Sequence, residues 1–474
     1  MNKYSSPGVF IEENPNPSVV EAVSASNGGF VGVAQRGAVG KPIFITSWNA
    51  YINNFALGMD SPFLANSDLA YAVYGFFQNG GKRCYVMRVA HEDVAKATLT
   101  SDGLTINAKD EGLWGNSLKV AITANDIVAT NFDIKVTLGA EVVETLRNLS
   151  NTVGEENYWI DYVEVHSKYI QGISGSLKKI ESTAFSGGSD GLTSIADADY
   201  TKALNNFDVI DDLNLLCVPG QTSDAINSAV MSYCEGRKDV FAILDAPLAS
   251  TVTSVLTLRK SMTCKNAAMY FPWIKVSDPL SKVGKLRSCP PCGHVMGVYA
   301  RTAYERGVWK APAGTEAILR GAVEVTTTLT NADTDLLNPA GIVSIIPKTN
   351  YGIVVWGARD LHPDSSMKYI SDVLLDINIK KEVHRITQPF VFEPNDSNTW
   401  TRVAATVESF LDNLWREGAL LGDSAGEAYY VKCDADLNTS DTIEAGQLLC
   451  EVGYAGKKPA EFIVFRFSHQ VASN

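Results

Sequence analysis

The sequence predicts an α/β (α+β) protein of several domains. Its core is a doubly covered, mostly parallel sheet, joined by an inserted, mainly β domain and by strand-forming terminal arms. Three observations carry this reading. From about residue 191 to 273, short apolar runs alternate with helical patterns, the order expected of a parallel sheet with helices on both faces. Residues 92–188 instead hold short alternating segments separated by Gly, Asn and Asp, which read as a mainly β inserted domain. Both ends of the chain carry β-prone runs with no neighbouring strand in sequence.

The bulk numbers bound the rest. A chain of 474 residues has room for two to four domains, and 45% hydrophobic with 20% charged residues is an ordinary globular composition. A net charge of −13 argues against a nucleic-acid binder, which would present a basic stripe. The opening MNKYSSPGVFIEENPNP has no apolar signal-like region, and no run approaches the ~18 apolar residues that a spanning helix needs, so no membrane insertion is expected. Eight scattered cysteines suit a reducing cytoplasm rather than a disulfide framework.

In chain order, residues 1–22 read as an arm. Val9, Phe10 and Ile11 form a short β-prone run, and Asn14-Pro15-Asn16-Pro17 stops any helix. A lone terminal strand must add to a sheet edge. Residues 23–91 give buried strands at 28–34, 42–46 and 83–89 around a helix at 68–78, whose face is Leu69, Val73, Phe76 and Phe77. The insertion at 92–188 contributes extended segments at 117–122, 132–138, 141–146 and 159–165. Residues 189–292 rejoin 23–91 as the α/β core, with strands at 213–218, 240–244 and 267–271 and helices at 223–237 and 253–262.

Residues 293–456 form the C-terminal core domain. Its opening stretch, 293–314 (GHVMGVYARTAYERGVWKAPAG), reads as short extended runs punctuated by Gly293, Gly297, Gly307, Pro312 and Gly314. Tyr299, Tyr304 and Trp309 supply contact area there, and Arg301, Arg306 and Lys310 supply charge. Two amphipathic helices follow: Ile370, Val373, Leu374 and Ile377 share one face, and Trp400, Val403, Val407, Phe410, Leu411 and Leu414 form a stripe. Residues 457–474 form a C-terminal arm with the strand Phe462, Ile463, Val464, Phe465, apolar on both faces and so expected to be covered.

The order of several short runs resembles the contractile tail sheath proteins of phage tails, tailocins and extracellular injection particles. The resemblance rests on GHVMGVYAR (293–301), RGVWKAPA (306–313), LNPAGI (337–342), VWGAR (355–359), VFEPND (391–396), GALLG (418–422) and PAEFIVFR (459–466). It implies a structural subunit, not an enzyme. Such a subunit forms hexameric rings stacked helically around an inner tail tube, meets baseplate and tail-terminator proteins, and contracts to drive the tube through an envelope. It would be assembled in the cytoplasm and then carried in a virion tail or extracellular particle. The insertion would lie on the outer face and 293–456 toward the tube. Val9, Phe10 and Ile11 with Phe462–Phe465 would be inter-subunit strands, and Lys380, Lys381 and Arg385 tube-facing. Ala303 stands where many members carry Asp, leaving Arg306 without that partner.

Other candidate sites have plainer readings. Cys289 and Cys292 form a CxxC with no second pair, so a structural role is expected and no metal. Asp434, Asp436, Asn438 and Ser440 imitate a calcium loop, but Thr439 and Ala445 stand where Gly and Glu are required. There is no GxGxxG, GxSxG or Walker loop, and no cofactor is expected. Two rivals stand beside the sheath reading: an α/β hydrolase or transferase using Asp245 or His294, and a static capsid or surface-layer subunit.

Overall fold

The computed structural model describes residues 26–362 and 366–461. Val9, Phe10 and Ile11 of the first arm, and Phe462, Ile463, Val464 and Phe465 of the last, lie outside the described residues.

An eight-stranded sheet organises the molecule. Its order is Gly352–Trp356, Ile342–Lys348, Ala267–Phe271, Phe241–Asp245, Leu215–Cys217, Gly28–Gly32, Cys84–Arg88 and Pro42–Ile45. The six inner strands are parallel, and an antiparallel strand closes each edge. Runs such as AAMYF and FAILD are buried at every position because helices cover both faces. Alternate residues divide between two cores. Phe30, Cys217, Ile243 and Tyr270 point to one, with helices Leu69–Gln78 and Cys292–Arg306. Val31, Leu216, Leu244 and Met269 point to the other, with helix Asp224–Arg237. That last helix is capped by Ser223, whose Oγ accepts from the Ile226 N–H at 3.2 Å.

The 293–301 run is a buried helix, Cys292–Arg306, and not the extended stretch read from its glycines. Glycine inside a helix costs ~1 kcal/mol against alanine, but here it permits close approach of two backbones. A Cβ on Gly293 would collide with the Ala72 backbone, and one on Gly297 would sit 2.5 Å from the Phe76 carbonyl oxygen. Gly75 answers from the Leu69–Gln78 helix, leaving room for the His294 ring. Small residues four apart were the available signal, obscured because glycine also marks turns.

Residues 92–188 contain a four-stranded and a three-stranded antiparallel sheet around their own core, including Ile106, Val120, Ile134 and Trp159. The chain enters and leaves side by side, with Ala95 bridged to Ser189 and Thr98 to Ser186. Arg36 fixes the base: its Nη2 donates to Asp110 Oδ2 at 3.1 Å and to the Lys168 carbonyl at 2.7 Å, and its guanidinium lies 4.0 Å from the Trp114 ring. The segment read as extended at 159–165 is a helix, Trp159–His166. Trp159 and Val163, four apart, are its buried face, so helical spacing prevailed over β-branched content.

Helices Ile370–Thr387 and Ser397–Arg416 follow the sheet. Asp396 caps the second, accepting from the Asn398 and Thr399 N–H groups. The first is buried on two sides: Ile370, Val373 and Ile377 enter the sheet core, while Leu375 and Ile379 pack with Val407, Leu411 and Leu420. A two-stranded antiparallel sheet, Tyr429–Lys432 with Glu451–Tyr454, completes this end.

The glycine crossing yields a prediction. Gly297→Val should cost at least ~1–3 kcal/mol by overpacking against backbone. Gly236→Ala, in open space on a helix, should stabilise by ~0.4–1 kcal/mol. Urea-unfolding midpoints of the two variants check both signs.

Candidate assembly site

Asp245 ends its strand where the Cys292–Arg306 helix begins. Its Oδ1 accepts from the Cys292 N–H at 2.9 Å and its Oδ2 from the Gly220 N–H at 3.2 Å. Pro291, at the helix's own cap position, offers no side-chain bond, so a carboxylate from the sheet caps the helix. Burial pushes the Asp245 carboxyl up to about 7 against these hydrogen bonds, and nearby Asp68 adds to the rise. His294 is enclosed, its Nδ1 has no hydrogen-bond partner, and burial lowers it to about 4. It contributes a packed ring rather than a base. Cys289 and Cys292 are buried free thiols, and burial with Cys217 and Asp245 nearby raises the Cys292 thiol well above its ordinary value. Among the described residues no cluster of His, Cys, Asp and Glu could hold a metal ion. Asp434 closes a turn instead, accepting from the Asp436 N–H.

The expected basic patch does not form as read. Lys381 is 9% exposed; its Nζ donates to the Leu213 carbonyl and lies 3.4 Å from Asp239. Burial lowers it to about 8. Lys381 is therefore a strut between helix and sheet and is not available to a partner. Lys380 is exposed but paired with Asp376, and Arg385 is paired with Glu382 at 2.8 Å. Arg306, left without an acid at position 303, pairs with Glu316 at 2.6 Å.

A cleft of about 670 Å³ opens beside the last described residues, lined in part by Trp309, Lys310, Trp356, Lys457, Lys458 and Glu461. Glu461 anchors it. Arg359 donates Nε to Oε1 at 3.0 Å and Nη2 to Oε2 at 2.7 Å; Asn338 Nδ2 donates to Oε1 at 2.6 Å. Burial alone would raise the Glu461 carboxyl, but the bonds from Arg359 and Asn338 outweigh it and hold the group below its ordinary value.

Residues 193–360 match the profile of the phage tail sheath protein central domain, and residues 362–470 that of the phage tail sheath C-terminal domain. Together the matches take in more than half of the chain. This chain belongs to the phage tail sheath family. The junction at 360–362 assigns the Cys292–Arg306 helix and both strands of the 342–356 hairpin to the central domain.

The tail sheath protein of Salmonella phage ViI is 22% identical over 376 residues; the match takes in 77% of this chain but 56% of that protein. A chain of the anti-feeding prophage baseplate superposes with a TM-score of 0.61 at 25% identity, covering 99% of this chain and 100% of its own. The contracted PVC sheath gives 0.61 at 24% identity, covering 99% of both chains. The Listeria innocua sheath tail protein gives 0.66 at 15%, covering 87% of this chain and 89% of its own. Sheath proteins are structural, so the hydrolase or transferase reading of Asp245 and His294 is set aside. The three residues that meet at Glu461 come from LNPAGI, VWGAR and PAEFIVFR, three of the runs that carried the sheath resemblance.

Two outcomes follow. Asp245 binds its proton more tightly folded than unfolded, so its contribution to stability is full below about pH 4 and is lost as pH rises through about 7. Asp245→Asn should flatten that part of the decline between about pH 4 and 7 in urea titrations. Glu461→Ala strands Arg359 and should cost roughly 1.5–3 kcal/mol locally, read as faster trypsin cleavage after Lys457.

Proposed function

We propose that this sheath protein polymerises as helically stacked hexameric rings around an inner tail tube and shortens to drive the tube through a target envelope. The observation that carries this reading is the end-to-end likeness to a chain of a six-fold symmetrised contractile-particle baseplate, supported by the likeness to a sheath in its contracted state. Baseplate and tail-terminator proteins would meet the two ends of the polymer. Assembly would take place in the producing cytoplasm, before the subunit becomes part of a virion tail or extracellular particle.

The terminal arms join neighbouring copies in this proposal. The Tyr429–Lys432 and Glu451–Tyr454 pair is a sheet too small to be stable alone, and it offers edges to which Val9–Ile11 and Phe462–Phe465 of neighbours can add. Each added backbone hydrogen bond would contribute a net ~0.5–1.5 kcal/mol. Glu461 would hold the root of the C-terminal arm. The insertion, joined to the core by adjacent strands, would face outward, and Lys380 and Arg385 would remain the tube-facing candidates.

Electron microscopy of the purified chain should show long hollow helical tubes. Deletion of residues 1–17 should abolish them while leaving the circular dichroism spectrum folded. Ordered tubes formed by the deletion variant would remove the N-terminal arm from the mechanism. Tubes that assemble but never shorten on a baseplate-bearing tail would point to a static shell instead.

A further inference from the structure

Two of the dispersed cysteines are brought together by the small C-terminal sheet. Its register pairs Tyr429 with Tyr454, Tyr430 with Gly453, Val431 with Val452 and Lys432 with Glu451. One step further sets Cys433 opposite Cys450, and the two thiols lie close enough to shift one another's ionisation. Directly opposed residues of an antiparallel pair project to the same face with Cα atoms ~4.5–5.5 Å apart, inside the span a disulfide needs. The loop between them is fastened beside the pair. Asn438 Nδ2 donates to the Leu449 carbonyl at 3.0 Å, and its Oδ1 accepts from the Leu449 N–H at 2.7 Å. The other six cysteines are buried, whereas Cys433 and Cys450 are both partly exposed.

We infer that Cys433 and Cys450 are a dithiol that closes to a disulfide in an oxidising medium, cross-linking the two strands of this sheet at the base of the 433–450 loop. Cys433 is the attacking thiol. Burial raises its pKa, but the neighbouring Cys450 thiol opposes that rise, whereas Cys450 is pushed up to about 12 by burial and by Cys433. The co-reactant is a low-molecular-weight disulfide such as oxidised glutathione. The Cys433 thiolate attacks one of its sulfurs and expels a thiolate, leaving a mixed disulfide. Cys450 loses its proton to solvent, attacks the Cys433 Sγ and expels the second small thiol. Two protein thiols are oxidised by two electrons, and the small disulfide is reduced to two thiols. The reducing glutathione poise of a cytoplasm would keep the pair as thiols, and the pair would close after the chain leaves it. This chemistry does not depend on the assembly reading; stiffening of an arm-accepting sheet would follow only if that reading holds.

The test uses the full chain in oxidised glutathione at pH 8.5, followed by alkylation, tryptic digestion without reductant and mass spectrometry. Lys432 and Lys457 bound a peptide holding both cysteines and no other basic residue between them. The expected result is that this peptide is lighter by about 2 Da and takes no alkyl group. Cys450→Ser is expected to stop at one glutathione on Cys433. A wild-type peptide that carries one or two glutathiones, or is alkylated at both cysteines, would overturn the inference. The mass shift is read on soluble chain or polymer alike, so failure to polymerise does not imitate failure to close.

Discussion

Everything in the sheath protein's central body depends on how closely two helices can approach. Gly293 and Gly297 on one, and Ala72 and Gly75 on the other, remove the side chains that would keep the backbones apart. The buried helix then becomes a fixed reference for its surroundings. Tyr299 reaches the Tyr270 hydroxyl on the sheet at 2.6 Å. Arg301 donates to the carbonyls of Asn79, Glu316 and Ile318, holding the end of the neighbouring helix and the strap over the sheet edge. Interiors are packed as densely as organic crystals, so one added methyl at such a crossing propagates to every one of these contacts.

The buried carboxylates show how environment decides charge. Asp245 receives two backbone N–H groups but no cation, and burial prevails. Glu461 meets a guanidinium in bidentate geometry and an amide as well, and the partners prevail. One is suited to ending a helix inside a dry core. The other is suited to holding a chain segment at the rim, where a fixed charge gives direction as well as attachment.

Much of the fold was legible because its signals are local. Continuous apolar runs such as 267–271 gave the parallel strands, and the Trp400 to Leu414 stripe gave the long C-terminal helix. The misread elements were those whose meaning lies in a distant partner. Gly297 looks like a turn until the Phe76 carbonyl is placed against it. Lys381 looks like a solvated end of a basic helix until Leu213 and Asp239 arrive from the sheet. The Glu461 anchor was foreshadowed only by resemblance, since no periodicity links Asn338, Arg359 and Glu461. Cys433 and Cys450 read as scattered because only the strand register makes them neighbours.

The helix Ile370–Thr387 carries a mechanical consequence. One side of it is built into the sheet core and the other into the C-terminal helical cluster, with Ile377 and Ile379 two residues apart serving opposite masses. A push on either mass is transmitted through continuous side-chain contact along a shared rod, as in a keyed shaft, with no soft joint in its path. Bending such a unit would require breaking two cores at once. The described body built around this helix therefore behaves as a stiff lever.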